Sequence, residues 1–81
     1  AGNDLIKGED GKDTLTGGDG NDTIYGQGGD DFLQGGNGND KIVGGDGNDS
    51  MFGDAGNDRL YGQLGLDTID GGSGSNFIVQ D

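Results

Sequence analysis

The stretch Gly17-Gly18-Asp19-Gly20-Asn21-Asp22-Thr23-Ile24-Tyr25 decides the fold, because its nine-residue pattern returns along the whole chain. Its first six residues combine glycines with short polar side chains, which suits a turn whose backbone visits positive φ and leaves its carbonyl oxygens unobstructed. The last three residues are β-branched or aromatic and favour a short strand. One repeat is therefore predicted to form one turn followed by one strand.

Four of the nine positions, counted with Gly17 as position one, keep one residue type along the chain. Position one is glycine at Gly8, Gly17, Gly26, Gly35, Gly44, Gly53, Gly62 and Gly71. Position four is glycine at Gly2, Gly11, Gly20, Gly29, Gly38, Gly47, Gly56, Gly65 and Gly74. Position six is aspartate at Asp4, Asp13, Asp22, Asp31, Asp40, Asp49, Asp58 and Asp67, and Asn76 in the last repeat. Position eight is a large apolar residue at Ile6, Leu15, Ile24, Leu33, Ile42, Met51, Leu60, Ile69 and Ile78. Such a short fixed period is typical of a solenoid.

The composition indicates that the chain needs help to fold. Its 81 residues carry 16 acidic and 4 basic side chains, a net charge of -12, and 26% hydrophobic residues. Such a chain buries too little apolar surface to offset the cost of ordering its backbone, and its carboxylates repel one another. A cation is the natural counterpart.

The same composition excludes several classes of function. The chain has neither cysteine nor histidine, which removes disulfides, the usual zinc ligands and the commonest general base. Four basic residues are too few for a nucleic-acid partner or an anionic membrane surface. No apolar run approaches the roughly 20 residues of a membrane span. We expect no catalysis, since no pair of nucleophile and base is present and a carboxylate that binds a metal is not free to act as a base.

Alternation along the strand predicts how the repeats stack. Ile24 points to one face while Thr23 and Tyr25 point to the other. Successive strands bury their central residue only by facing each other, so two repeats make one coil, and repeats two apart stack in parallel about 4.8 Å apart. Odd and even repeats then form two facing sheets around a core one side chain deep, which is too thin to hold the fold alone.

The turns are predicted to bind calcium. Each turn supplies one carboxylate and several free carbonyls, and Ca²⁺ takes six to eight oxygen ligands in a tolerant geometry, whereas Mg²⁺ demands a tighter octahedron. Without the ion, the stacked Asp22, Asp40 and Asp58 would repel one another. The repeats are numbered from the one that contains Asp4. When stacked, the turns of the odd repeats leave four gaps along one edge of the roll, the odd edge, and those of the even repeats leave three along the even edge. We therefore expect about 5 to 7 calcium ions, with the outermost gaps least well formed.

The repeat resembles the RTX (repeats-in-toxin) calcium-binding nonapeptide repeat, and the resemblance covers essentially the whole chain. It implies an all-β fold, a right-handed parallel β-roll with calcium ions in the turns, formed as a single domain by residues 1–81. Residues 71–81, with Asn76 and Phe77, are predicted to form a C-terminal capping repeat. The resemblance also implies that each ion is held by the carboxylates of two stacked turns, by carbonyls of the first and third residues of one turn, and by carbonyls of the second and fourth residues of the other.

Carried onto this sequence, the resemblance assigns ligands residue by residue. The side-chain ligands are the eight position-six aspartates given above. The backbone carbonyl ligands are Gly8, Asp10, Gly11, Gly17, Gly18, Asp19, Gly20, Gly26, Gln27, Gly28, Gly29, Gly35, Gly36, Asn37, Gly38, Gly44, Gly45, Asp46, Gly47, Gly53, Asp54 and Gly56.

Some turns depart from the pattern. Glu9, Gln27, Asp54 and Gln63 replace the glycine at position two, which costs stability if φ is positive there. Leu64 and Leu66 make one turn unusually apolar, so we expect either a weak site or packing against a neighbouring segment.

Other interpretations of the glycine and aspartate pattern fit less well. A flexible acidic linker would lack a strict period. An EF-hand fails because Asp46-Gly47-Asn48-Asp49 lacks the loop glycine, and Glu9 is the only glutamate for a closing ligand. A dinucleotide fingerprint fails because Thr23 stands where its third glycine is required.

The outward residues of the odd repeats form the candidate partner face. It combines an apolar column with two cations, at Tyr25, Val43, Tyr61, Val79, Lys41 and Arg59. Three of the four cations of the chain lie on this side. The alternative is that these residues only satisfy the β propensity of a solvated sheet.

Two functions follow as hypotheses. The first is a calcium-induced folding module of a secreted, extracellular bacterial RTX protein such as a toxin, protease or other exported enzyme, with the domains of that parent protein as further partners. The second is an adhesive or accessory module that presents the odd face to a glycan or protein. An ice-binding surface is disfavoured because the threonines form no row. Exposed strand edges at Ile6 and Ile78 also allow end-to-end self-association, and the odd face allows face-to-face self-association.

Overall fold

The computed structural model describes residues 3–79. Residues 1, 2, 80 and 81, which include Gly2 of the position-four ladder and the end of the predicted cap, lie outside the described residues. The described chain forms nine strands of three residues each, always at positions seven to nine of the repeat. The strands are β1 Leu5–Lys7, β2 Thr14–Thr16, β3 Thr23–Tyr25, β4 Phe32–Gln34, β5 Lys41–Val43, β6 Ser50–Phe52, β7 Arg59–Tyr61, β8 Thr68–Asp70 and β9 Phe77–Val79.

The strands lie in two parallel sheets, one odd and one even. The odd sheet has the order β1-β3-β5-β7-β9 and the even sheet the order β2-β4-β6-β8. Each residue pairs with the one 18 positions later, as Ile24 does with Ile42. The predicted all-β parallel β-roll, with two repeats to a coil, is confirmed. None of the described residues forms a helix that could cross a membrane.

The core is a single file of apolar side chains between the sheets. Five position-eight residues are completely buried, namely Ile24, Leu33, Ile42, Met51 and Leu60. Ile6, Leu15 and Ile69 pack against this file and are partly buried. Ile78 in the last coil is 47% exposed. The shortest dimension of the molecule is 12 Å, close to the thickness of two packed sheets, so no second apolar layer exists in the described chain.

Backbone conformation explains which glycines the repeat can lose. At position four φ lies between 93° and 109° in every described repeat, a region that a side chain strains, and only glycine occurs there. At position two φ is 77° to 86° for glycine and 65° to 70° for Glu9, Gln27, Asp54 and Gln63. These four residues therefore adopt the left-handed conformation, which costs an L-residue roughly 1–2 kcal/mol.

The apolar turn near the C-terminus does not pack against another described segment. Leu64 is 62% exposed and Leu66 is 84% exposed. The expectation of packing against a neighbouring segment is therefore wrong within residues 3–79, because both side chains leave the turn on its outer side.

Candidate calcium sites

The position-six aspartates point inward from the turns. Asp22, Asp31, Asp40, Asp49 and Asp58 are only 1% to 3% exposed. The Oδ1 atom of each accepts a hydrogen bond from the backbone N–H of the residue 18 positions earlier, as when Asp22 donates to Asp40 at 2.7 Å. Equivalent bonds of 2.7 to 2.9 Å span four gaps between turns on the odd edge and three on the even edge of the described chain. One oxygen of each carboxylate thus holds the stack together.

The second oxygen of these carboxylates has no hydrogen-bond partner. Six Oδ2 atoms are buried and unpaired in the described chain, three on each edge, in Asp13, Asp22, Asp31, Asp40, Asp49 and Asp58. An unpaired buried carboxylate oxygen is costly, and native proteins avoid it unless an ion or another group satisfies it. The regular recurrence of this atom, once in each of six successive turns, fits a cation between stacked turns.

The invariant position-one glycines form the opposite side of each cradle. An ideal Cβ on Gly17 would lie 2.5 Å from Oδ2 of Asp22 and 2.8 Å from the carbonyl oxygen of Gly35 in the next stacked turn. Gly26 has the same relationship to Asp31 at 2.6 Å and to Gly44 at 2.8 Å. Carboxylate and carbonyl oxygens from two turns thus surround one small space that any side chain at position one would fill. A hard cation that prefers oxygen ligands, such as Ca²⁺, fits this donor set.

Carboxylates alone do not make the sites. Within residues 3–79 no three acidic side chains converge on one point. A calcium ion with six to eight ligands would therefore depend on turn carbonyls. Those of Gly17, Gly18, Asp19 and Gly20 accept no hydrogen bond from any described residue. The same holds for the carbonyls of Gly35, Gly36, Asn37 and Gly38, which lie in the next turn of the same edge. The ligand set assigned from the resemblance, and the number of ions, stay predictions.

Burial controls the electrostatics of the turns. The pKa of Asp40 is raised to about 6, mainly by burial and less by the neighbouring carboxylates of Asp58 and Asp22, while the hydrogen bond from the backbone N–H of Asp22 lowers it. The pKa of Asp49 is also raised to about 6, mainly by burial, with a smaller contribution from the repulsion of Asp67 and Asp31 and a lowering by the hydrogen bond from the backbone N–H of Asp31. The pKa values of Asp31 and Asp58 are likewise raised, mainly by burial. The stacked carboxylates are thus poorly stabilised as anions by the protein alone.

The two ends of the stack differ from its middle. Asp4 is exposed at the N-terminal end, and Asp67 is half-buried at the C-terminal end. Asn76 accepts from the backbone N–H of Asp58 at 2.9 Å, as an aspartate would, but its Nδ2 donates to the carbonyl of Gly72 at 3.3 Å. An amide donor here occupies the place of the unpaired carboxylate oxygen. This supports the expectation that the outermost gaps are the least suited to calcium.

A second ladder, at position five, was missed by the sequence analysis. Oδ1 of Asn39 accepts from the backbone N–H of Asn57 at 2.8 Å, and Oδ1 of Asn21 accepts from that of Asn39 at 2.8 Å. Here the later turn donates to the earlier one, the reverse of the direction at position six. Asn3, Asp30 and Asn48 are equivalent acceptors. The sequence feature that indicates this ladder is the recurrence of asparagine directly before the aspartate. The general preference of asparagine for turns explained the same recurrence.

The predicted partner face lies on the outside of the odd sheet. Tyr25, Val43, Tyr61 and Val79 are consecutive neighbours in one column and are partly buried. Lys41 and Arg59 lie in the adjacent column and are exposed. The structure brings these six residues together as predicted, but it leaves their partner open.

Comparison with known proteins identifies the repeat. A family model described as RTX calcium-binding nonapeptide repeat (4 copies) matches residues 1–33, 25–60 and 43–78. No curated protein and no solved structure matches the chain. The matched segments overlap and together span nearly the whole chain.

Proposed function

The chain belongs to the RTX calcium-binding nonapeptide repeat family, and we propose that it is a non-catalytic module that folds when it binds calcium. Membership makes it a calcium-binding module of the kind found in secreted bacterial proteins. We further propose that it works outside the cell as part of a larger exported protein such as a toxin or protease.

The six unpaired carboxylate oxygens carry this proposal. The β-roll places Asp22, Asp40 and Asp58 above one another on the odd edge, and Asp13, Asp31 and Asp49 do the same on the even edge. Bound calcium would satisfy these oxygens and cancel the repulsion between stacked carboxylates. The ion therefore supplies what the sequence lacks for folding.

Calcium binding and folding are one equilibrium in this proposal. The core is a single file of side chains, and the net charge is -12, so the chain without calcium is expected to be unfolded. Sites that exist only in the folded chain convert binding free energy into folding free energy. Extracellular calcium modules bind with Kd on the order of 10⁻⁴–10⁻³ M, so the chain would stay unfolded in a calcium-poor cytoplasm and fold after export.

The absence of catalysis is also part of the proposal. Its support is the lack of histidine and cysteine and the use of the buried carboxylates in the turn stack. Any enzymatic activity of the parent protein would then reside in other domains.

Circular dichroism during a calcium titration tests the proposal, with magnesium as the control ion. We expect a cooperative change from disorder to β-structure with calcium at millimolar concentration or below, and no change with magnesium. Isothermal titration calorimetry on the same sample would count the ions. A chain that is folded without calcium, or that binds calcium without gaining structure, would contradict calcium-induced folding.

A further inference from the structure

Two cations stand side by side on the odd sheet without a counter-ion among residues 3–79. Lys41 and Arg59 are register partners on β5 and β7, and neighbouring strands of a sheet lie about 4.8 Å apart. Like charges directly opposite each other destabilise a sheet. Although the chain has 16 acidic residues, neither cation forms an ion pair with any residue of the described chain. The pair is therefore available to an anion from outside the chain.

A groove beside this pair runs along the odd edge of the roll. It is open, has a volume of about 600 Å³, and is lined by Lys41 and Arg59. Asn21, Asn39 and Asn57 also line it. Their Oδ1 atoms accept backbone N–H groups of the next stacked turn, which leaves their Nδ2 groups as donors on exposed side chains. The groove thus presents both a row of hydrogen-bond donors, one per coil, and two positive charges.

The acidic residues of the groove do not oppose an anion directly. Asp22, Asp40 and Asp58 also line the groove but are only 1% to 2% exposed, and their Oδ1 atoms are hydrogen bonded. About five to seven calcium ions would add 10 to 14 positive charges to a net charge of -12. The calcium-loaded chain would be nearly neutral, so the local field at Lys41 and Arg59 would favour anions.

Aromatic rings continue the groove at its C-terminal end. Arg59, Tyr61 and Phe77 line an adjoining pocket of about 370 Å³. Tyr61 and Phe77 are in edge-to-face contact, with ring centroids 6.0 Å apart, and Phe77 is 57% exposed. The apolar faces of such rings, one of which carries a phenolic hydroxyl, suit the C–H face of a sugar ring.

From these features we propose that the groove binds an extended acidic polysaccharide, with carboxylates on Lys41 and Arg59, hydroxyls on the asparagine row and a sugar ring on the aromatic end. A peptide is the less suitable occupant. The groove runs across the strands, whose backbone groups are already paired within the sheet, so a peptide would find no free edge to extend.

Binding of a defined oligosaccharide tests the proposal. Hexameric oligogalacturonate would be titrated into the calcium-loaded chain at a fixed calcium concentration and followed by calorimetry. The comparison ligands are the carboxyl-reduced neutral hexamer, hexaglutamate and sodium sulfate. The test variant is Lys41→Gln with Arg59→Gln, and the matched control is Lys7→Gln with Lys12→Gln, which changes the net charge equally outside the groove. Circular dichroism with calcium confirms that each variant folds, which keeps a folding defect separate from a binding defect.

We expect the wild-type chain to bind the acidic hexamer. The affinity should fall at least about tenfold in the variant of Lys41 and Arg59, because two charge-assisted hydrogen bonds are lost. In the control variant, which keeps these bonds, the affinity should change less than about twofold. The neutral hexamer should bind much more weakly. Equal loss in both variants, or no binding by the folded wild-type chain, would overturn the proposal. Equally tight binding of hexaglutamate would assign the groove to acidic peptides, and binding of sulfate alone would reduce it to a simple anion site; either result overturns the polysaccharide.

Discussion

The carboxylate of Asp40 accepts the backbone N–H of Asp22 at 2.7 Å, and the backbone N–H of Asp40 in turn donates to the carboxylate of Asp58 at 2.7 Å. Each buried aspartate therefore belongs to two gaps between turns. Its second oxygen, Oδ2, remains for a metal ion.

Replacement of Asp40 by asparagine should weaken calcium binding at both adjoining gaps. Asparagine keeps Oδ1 for the backbone hydrogen bond but puts an amide donor in place of Oδ2, as Asn76 does in the last turn. We expect the loss of one or two ions and a rise of about tenfold in the calcium midpoint of folding, measured by calorimetry and circular dichroism. Asp46→Asn is the matched control, since Asp46 is exposed and offers only its carbonyl; an equal effect there would contradict the side-chain assignment.

Replacement of Gly17 by alanine should remove a site for steric reasons. The new Cβ would lie 2.5 Å from Oδ2 of Asp22, so the carboxylate or the turn must shift, at a cost of roughly 1–3 kcal/mol. Gly18→Ala is the control, because a Cβ there meets nothing within 4 Å but must accept a φ of 84°.

The two glycine variants should differ in ion count more than in stability. Gly18→Ala should cost roughly 1–2 kcal/mol in urea unfolding at saturating calcium and leave the number of ions unchanged. Gly17→Ala should bind fewer ions by calorimetry. An unchanged ion count in Gly17→Ala would show that position one does not border the metal.

Replacement of Gln27 by glycine should stabilise the folded chain. Gln27 holds a φ of 69°, and glycine relieves this strain while adding conformational freedom to the unfolded chain. We expect a net gain of about 0.5–1 kcal/mol in urea unfolding at saturating calcium. The same substitution at Gln34, within strand β4, should instead destabilise by a similar amount. A loss of stability in both variants would contradict the strain at position two.

Calcium affinity should fall in mild acid. The pKa values of Asp40 and Asp49 are raised from 3.8 to about 6, so the folded chain without calcium binds protons more tightly than the unfolded chain between these values. Protonation of Asp40 and Asp49 therefore stabilises the folded, calcium-free chain most below about pH 4, and this stabilisation is lost as the pH rises through about 6. Calcium needs the deprotonated groups, so its affinity changes in the opposite sense and rises with pH through about 6.

A calcium titration at pH 5 and at pH 7.5 measures this effect by circular dichroism. We expect the calcium midpoint to be at least about tenfold higher at pH 5, because about one pH unit separates the lower pH from these pKa values and more than one proton is displaced. Asp40→Asn should show a weaker pH dependence, since it lacks one of the two groups. A midpoint that is the same at both pH values would contradict proton competition at the buried carboxylates.

The repeating sequence pattern was sufficient to predict the fold. It was not sufficient to predict features that depend on contacts between particular residues. Alternation placed Ile24 and Leu33 in the core, and the period of nine predicted that odd and even strands separate into two sheets. The sequence also showed that position one is always glycine in this chain. It did not reveal that the reason is the close approach of the aspartate carboxylate of the same repeat and of a carbonyl oxygen 18 residues later, rather than a positive φ. Only the folded and stacked turns bring these atoms together.

The position-five ladder and the apolar turn illustrate the same limit. Asn39 looked like an ordinary turn residue, and only the stacking of the turns shows that its Oδ1 accepts a hydrogen bond from the backbone N–H of Asn57. Leu66 looked like a packing residue, yet its backbone N–H joins the ladder while its side chain faces outward. Both cases depend on which side of the turn a side chain leaves, which nine-residue periodicity does not specify.

The separation of odd and even strands gives the molecule two different periods. Loss or gain of nine residues would preserve every buried apolar position, but it would transfer all later strands to the opposite sheet. Lys41 and Arg59 would then no longer share a face with Tyr25 if the change fell between Tyr25 and Lys41. Evolution can therefore lengthen such a protein in steps of one repeat without harm to its interior, whereas the chemistry of its exterior is inherited intact only in steps of two.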